Sequence, residues 1–255
     1  MSQIIDLARR VDRAAQEATA IAQFSEAAGL SVSDAYLIQA ASIAERLKRG
    51  ERRVGIKMGL TSRSKMEQVG VHEMIWGRLT NDMYVEDGGS TSMSRYVHPR
   101  AEPEIAFILK KDLAGPVTTA EAAAAVECVA PAIEIIDSRF ENFKFDLCDV
   151  VADNCSSSGY LMGPARAMDF DIGNLGMVLS IDDQPVAVGS SAAILGHPLR
   201  SLAAASKMVA QSGETLKAGD IVLAGAATAA VELKAGMTVS TEIQQLGSLS
   251  FKVTE

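Results

Sequence analysis

A carboxylate in the middle of an apolar run restricts what this chain can fold into more than any other feature. Residues 129–136 read Val-Ala-Pro-Ala-Ile-Glu-Ile-Ile, with Glu134 between Ile133 and Ile135. In a strand, alternate side chains share a face, so Ala132 and Ile136 flank Glu134 on its own side. Such a run belongs in an interior, where an ionised carboxylate without a partner is costly or takes up a proton. Some thirty residues earlier, Glu102-Pro-Glu104 sets two more carboxylates two positions apart, on one face if that segment is extended. Three carboxylates gathered at one point form a site for a hard cation, suited to Mg²⁺, Mn²⁺ or Ca²⁺ rather than zinc or copper. The alternative is a solvated Glu102-x-Glu104 face, with Glu134 paired to an Arg or Lys from elsewhere.

The rest of the chain can supply that interior. Its 255 residues are 48% hydrophobic and 22% charged, which fits one large domain, or one domain with a small appendage, and needs no cross-links. Cys128, Cys148 and Cys155 are odd in number and lack C-x-x-C spacing, so reduced thiols and a cytoplasmic location are expected. No apolar run reaches the ~18 residues of a membrane span, and the Met-Ser-Gln-Ile-Ile-Asp start predicts no secretory signal. A formal charge of −8, with basic pairs only at Arg52-Arg53 and Lys110-Lys111, argues against a nucleic-acid partner. Glycine-rich nucleotide loops are absent. His72, His98 and His197 lie too far apart to suggest a metal cluster or a nucleophilic triad.

Hydropathy periodicity divides the chain at about residue 50. Residues 3–49 read as a helical hairpin, the first helix stopping at Gly29 and the second opening on Ser31-Val-Ser-Asp34 and running to Gly50. Strands are predicted over 54–60, 104–109, 131–137, 175–181, 221–224, 230–233, 239–243 and 249–253, with Asp182-Asp183 as a turn. Thr118-Thr-Ala-Glu121 is a capping box opening an Ala-rich helix that ends before Pro131, and Gly196-His-Pro198 leads a further helix to Gly213. The pattern is α+β, a strand-rich body at 51–255 behind a helical appendage at 1–50.

Three further segments have two readings each. Lys57, in the strand Gly55-Ile-Lys-Met-Gly-Leu-Thr-Ser62, either snorkels to solvent or faces the carboxylates, where it would stabilise an oxyanion. Asp153-Asn-Cys-Ser-Ser-Ser-Gly159 is either a turn or a pocket wall whose hydroxyls receive a carboxylate. Ala224-Gly-Ala-Ala-Thr228 joins two apolar strands, and its small residues would let a ligand approach the backbone.

Taken together, these motifs, with Gly77-Arg-Leu-Thr-Asn-Asp-Met83 and Ile133-Glu-Ile-Ile-Asp-Ser-Arg139, resemble the fumarylacetoacetate hydrolase superfamily, specifically its hydratase/decarboxylase branch. Their order and separation match over about residues 50–235. The resemblance implies a mixed β-sandwich or roll behind a small helical region. It implies one Mg²⁺, with Mn²⁺ able to substitute, held by Glu102, Glu104 and Glu134. It further implies a pocket containing Lys57, Asp82 and Ser158, with Thr228 as a substrate contact. The implied reaction is decarboxylation of the dicarboxylate 2-oxo-3-hexenedioate to 2-hydroxypenta-2,4-dienoate, in the meta-cleavage breakdown of aromatics. Lys57 would place positive charge near the oxyanion, Asp82 would assist proton handling and Ser158 would anchor a carboxylate. Hydration of the dienoate shares the same triad; a non-catalytic role beside such a hydratase is the other alternative, and an intact triad argues against it. A homo-oligomer and a complex with the pathway hydratase are implied as well.

Overall fold

The computed structural model describes residues 2–62 and 73–255, apart from the side chain of Glu26. His72 lies outside them. Helix α1 (Ser2–Gln16) ends well short of the predicted stop at Gly29. Ala18 turns into the left-handed region at φ 46°, and the chain beyond is drawn out by tertiary bonds. Ile21 N–H donates to the Arg139 carbonyl and Glu141 N–H to that of Ile21, at 2.8 and 3.0 Å. Long-range pairing here overrides local helix preference. After a short α2 (Ser25–Ala28), α3 (Val32–Lys48) starts on the predicted cap: the Ser31 hydroxyl accepts from Asp34 N–H, and the Asp34 carboxylate accepts from Ser31 N–H. The helices share an apolar cluster with the later chain, through Val11, Ile38, Ile75 and Val151.

Twelve strands follow among the described residues: β1 (Arg53–Gly59), β2 (Ile75–Thr80), β3 (Ser90–Ser92), β4 (Arg100–Leu109), β5 (Val126–Ile136), β6 (Ser157–Met162), β7 (Gly176–Ile181), β8 (Gln184–Ser190), β9 (Ile221–Leu223), β10 (Val231–Glu232), β11 (Thr238–Ile243) and β12 (Gly247–Thr254). Between them lie α4 (Thr119–Ala124), opened by the Thr118 capping box, α5 (Leu147–Ala152) and α6 (Pro198–Gln211). Helix α4 stops earlier than predicted, because residues 126–130 pair with β4. Asp182 and Asp183, at φ 49° and 63°, make the left-handed two-residue turn that suits a twisted hairpin between β7 and β8.

One sheet runs β2-β1-β9-β4-β5-β6, with β10 also paired to β4. It rolls up until its edges meet. Val85 N–H donates to the Tyr160 carbonyl, and the Asn154 side chain bonds both backbone groups of Arg78 on β2. The inner face carries Leu79, Ala106, Ala130, Ala132 and Leu223. On the outer face, Ile133 and Ile135 pack against Leu179, Val239, Leu249 and Phe251 of the second sheet, ordered β3-β12-β11-β7-β8. Ile56, Ile105 and Phe107 pack with Leu202, Ala205 and Val209 of α6. Each such buried side chain contributes about 1.5–3 kcal/mol. Parallel β1–β9 and β12–β3 pairs among antiparallel ones make both sheets mixed, within an α+β fold.

Candidate metal centre

Glu102 on β4 stands directly opposite Glu134 on β5, and Glu104 stands opposite Ala132. Strand alternation therefore turns all three carboxylates to one face, the inside of the roll, where the alanines at 106, 130 and 132 leave room. One oxygen from each lies within 4.8 Å of the other two. Glu104 and Glu134 are fully buried and Glu102 nearly so.

The sheet is interrupted beside them. β9 pairs with Ala106–Ile108 of β4 and β10 with Arg100–Ala101, so the loop 224–230 bridges the gap facing residues 102–105. Pro103 is tolerated because its missing N–H would point to this side, where its carbonyl accepts from Ala227 N–H at 3.3 Å. Gly225 N–H reaches Glu104 Oε2 at 2.7 Å. This glycine is required twice over: its φ is +103°, and a Cβ would collide with the Thr61 side chain.

Lys57 reaches the same face through the register Lys57–Leu223–Ala106 across β1, β9 and β4. Its Nζ lies 2.9 and 3.1 Å from the two oxygens of Glu134. Burial alone would pull the Lys57 ammonium down, but the neighbouring carboxylates, Glu134 foremost, outweigh it and leave its pKa raised. Burial, then the charges of Glu134 and Glu102, hold Glu104 well above the ordinary carboxylate range. Burial also raises Glu134, against the pull of Lys57. Glu104 Oε1 is buried with no hydrogen-bond partner among the described residues. Repulsion between the carboxylates in this low-dielectric space adds to the cost of ionising Glu104. An oxygen-only donor set with an orphaned buried oxygen fits a divalent cation.

The site borders a cavity of about 590 Å³ whose wall includes Lys57, Glu102, Arg100, Cys155 and Ser156. The other sequence-derived residues are not gathered with them. Asp82 follows β2 on a 3-10 turn, exposed, with its carboxylate 3.0 Å from Arg95. Ser158 is the extra residue of a bulge in the β5–β6 register, and its hydroxyl accepts from the Arg139 guanidinium. Both line a separate cavity of about 440 Å³. Thr228 donates its hydroxyl to the Ala229 carbonyl at 3.0 Å, while Ala229 and Ala230 reach the first cavity.

Sequence reasoning passed over two wall residues. Residues 154–156 all sit in the left-handed region, at φ 49°, 53° and 60°. That turn leaves Ser156 Oγ buried with no hydrogen-bond partner among the described residues, and a run of three serines does not reveal which hydroxyl faces inward. Arg100 was legible: it is two residues before Glu102 on the same strand face. Cys155 is no nucleophile, since burial pushes its thiol up to about 12 and it donates to the Trp76 carbonyl at 3.0 Å.

A rolled mixed sheet that aims three carboxylates and a lysine at one side of a cavity defines a metal-dependent enzyme. Residues 59–254 match the fumarylacetoacetate (FAA) hydrolase C-terminal family, and the chain belongs to it. It is 55% identical over 248 residues, 97% of each chain, to a 4-oxalocrotonate decarboxylase of Pseudomonas sp. It is 37% identical over 231 residues, 89% of this chain and 88% of the relative, to a 2-hydroxyhexa-2,4-dienoate hydratase of Comamonas testosteroni. A solved 4-oxalocrotonate decarboxylase from Pseudomonas putida G7, complexed with magnesium and adipate, superposes with a TM-score of 0.96 at 37% identity, over 99% of this chain and 97% of that one. No helix among the described residues is long and apolar enough to cross a membrane.

Proposed function

We propose that this chain decarboxylates 2-oxo-3-hexenedioate (4-oxalocrotonate) to 2-hydroxypenta-2,4-dienoate, with Glu102, Glu104 and Glu134 holding one Mg²⁺ that Mn²⁺ can replace. The observation that carries a metal-dependent reaction is the convergence of three buried carboxylates on one point. Decarboxylation, rather than hydration, is supported by the 55% identity to a decarboxylase along nearly the whole chain, against 37% to the hydratase. The magnesium and adipate held by the Pseudomonas putida G7 relative support the metal and a six-carbon dicarboxylate substrate.

In that substrate the C6 carboxylate is a vinylogous β-keto acid. When the C5–C6 bond breaks, CO₂ leaves and its electron pair passes through the conjugated carbons to the C2 oxygen. A bound divalent cation supplies Lewis-acid stabilisation to an oxygen that gains negative charge. Lys57 places a buried ammonium at the cavity wall, where it stabilises the developing oxyanion and holds a proton for it. Glu134 fixes that ammonium in position. The apolar lining, with Leu60, Ile75 and Val150, limits water near the dienolate. Asp82 and Ser158, in the other cavity, receive no role in this reaction.

Residues 51–255 form the catalytic body in this reading, clamped by the helices of residues 1–50. A homo-oligomer, a cytoplasmic location and hand-over of the dienol to a hydratase belong to the same reading, and sedimentation of the chain alone and mixed with such a hydratase tests both associations. The decisive experiment incubates the purified chain with Mg²⁺ and 2-oxo-3-hexenedioate and follows CO₂ and water addition separately. CO₂ release without hydration is expected; hydration without CO₂ would overturn the assignment.

A further inference from the structure

Beyond the carboxylates and Lys57, Arg100 and Lys144 line the cavity without an ion pair among the described residues, and of the two only Arg100 lies on the strand that carries Glu102 and Glu104. Arg100 lies at the start of β4, two residues before Glu102, so its side chain emerges on the same face as Glu102 and Glu104. Two residues of strand advance it about 6.8 Å along the face. That is comparable to the reach of an extended six-carbon chain. Its guanidinium stacks on the Phe143 ring, 4.1 Å from the centroid, and it makes no ion pair among the described residues. Glu232 stands opposite it in the β4–β10 register, but that carboxylate lies 3.9 Å from Lys234. Phe143 is itself held at φ 56° in the loop after β5. The stacking thus presents a planar, charged fork to the cavity from a fixed support.

We propose that Arg100 receives the distal carboxylate of the substrate and so selects dicarboxylates over monocarboxylates. This inference rests on the decarboxylase reading for the identity of the substrate. One end of the cavity would hold the 2-oxo acid beside Lys57 and Glu102, and the other would pair the C6 carboxylate with the Arg100 fork. The arrangement makes a kinetic distinction. Charge departs from C6 as CO₂ forms and arrives at the C2 oxygen, so a cation at C6 binds and orients the ground state without stabilising the charge that develops. Arg100 therefore governs KM more than kcat.

The test uses the full chain loaded with Mg²⁺, as wild type, Arg100→Ala and Arg100→Lys. For Arg100→Ala, KM for 2-oxo-3-hexenedioate is expected to rise about 10- to 100-fold, the loss of one charge-assisted pair, with kcat changed less than about threefold. Arg100→Lys, which keeps charge but not the fork, is expected to fall between. Calorimetric binding of adipate should weaken by the same factor in Arg100→Ala, while 2-oxopentanoate, a monocarboxylate, binds as to wild type. An unchanged KM, or parallel weakening of adipate and 2-oxopentanoate, would overturn the assignment. Failure of the wild type to release CO₂ would instead remove the decarboxylase reading, and the two binding arms would still report on Arg100.

Discussion

Lys57 Nζ lies within 3.1 Å of both carboxylate oxygens of Glu134, and both side chains are buried. The pair joins strands from opposite halves of the roll, since β1 and β5 are separated by β9 and β4. Glu104, by contrast, makes no ion pair among the described residues and keeps Oε1 buried there without a hydrogen-bond partner. The contact thus orients the lysine and lowers the cost of Glu134, while the orphaned oxygen of Glu104 remains available to a cation.

Replacing Lys57 with Met tests the first half of that statement. Removing one partner of a buried ion pair costs about 3–5 kcal/mol, and removing a preorganised positive charge from an oxyanion site costs about 100- to 1,000-fold in rate. Urea unfolding without metal should show the loss of stability, and saturating Mg²⁺ should recover part of it by neutralising Glu134. A Lys57→Met protein with wild-type stability and CO₂ release would mean that the lysine is incidental.

Glu104→Gln should move stability and activity in opposite directions. The amide keeps the shape and can still accept from Gly225 N–H, but it removes a buried charge that repels Glu134 and Glu102. The metal-free variant is expected to melt at or above the wild-type temperature at neutral pH. Its Mg²⁺-dependent rise in Tm should vanish and CO₂ release should fall at least about 100-fold. Retained activity would sink the metal assignment.

The pattern of legibility follows from range. Glu102, Glu104 and Glu134 were legible as one group because strand alternation and the anomaly of a carboxylate in an apolar run are local signals. The caps at Ser31 and Thr118 were legible for the same reason. β2 and β6 were not predicted as strands: β2 gives way to a glycine and an arginine in its middle, and β6 opens on serines. Their pairing is set by the closing of the roll, to which Asn154 contributes across the seam. The same seam decides which serine of the 156–158 run turns to the cavity, and no periodicity carries that information.

Metal affinity should rise with pH. Burial and mutual repulsion hold Glu104 and Glu134 above the unfolded carboxyl value, so the metal-free folded chain binds protons that the unfolded chain has released. Asp153, raised to about 6 by burial despite Arg139, acts in the same sense. The sign is therefore fixed: the metal-free fold loses stability as pH rises from the unfolded carboxyl pKa, about 4, through the folded values. Mg²⁺ competes with the protons on Glu104 and Glu134, so its affinity should climb by up to about tenfold per pH unit for each proton displaced. Titration calorimetry in two buffers of different ionisation enthalpy should register proton release. Equal heats in both would contradict it.

Gly225→Ala tests whether the backbone of the 224–230 loop positions Glu104. A side chain at φ +103° costs about 1–2 kcal/mol, and its Cβ would meet Thr61, so the loop must shift and take the Gly225 N–H away from Glu104 Oε2. Gly236 is the control. It also has positive φ, at +91°, but a Cβ there meets nothing within 4 Å. Gly236→Ala should thus carry the backbone strain alone, lowering Tm slightly and leaving Mg²⁺ affinity unchanged. Gly225→Ala should lower Tm further and weaken Mg²⁺ binding about tenfold, the value of one charge-assisted hydrogen bond to the carboxylate. Equal Mg²⁺ affinities in the two variants would separate Glu104 from its backbone donor and leave strand alternation as the sole device that aims it.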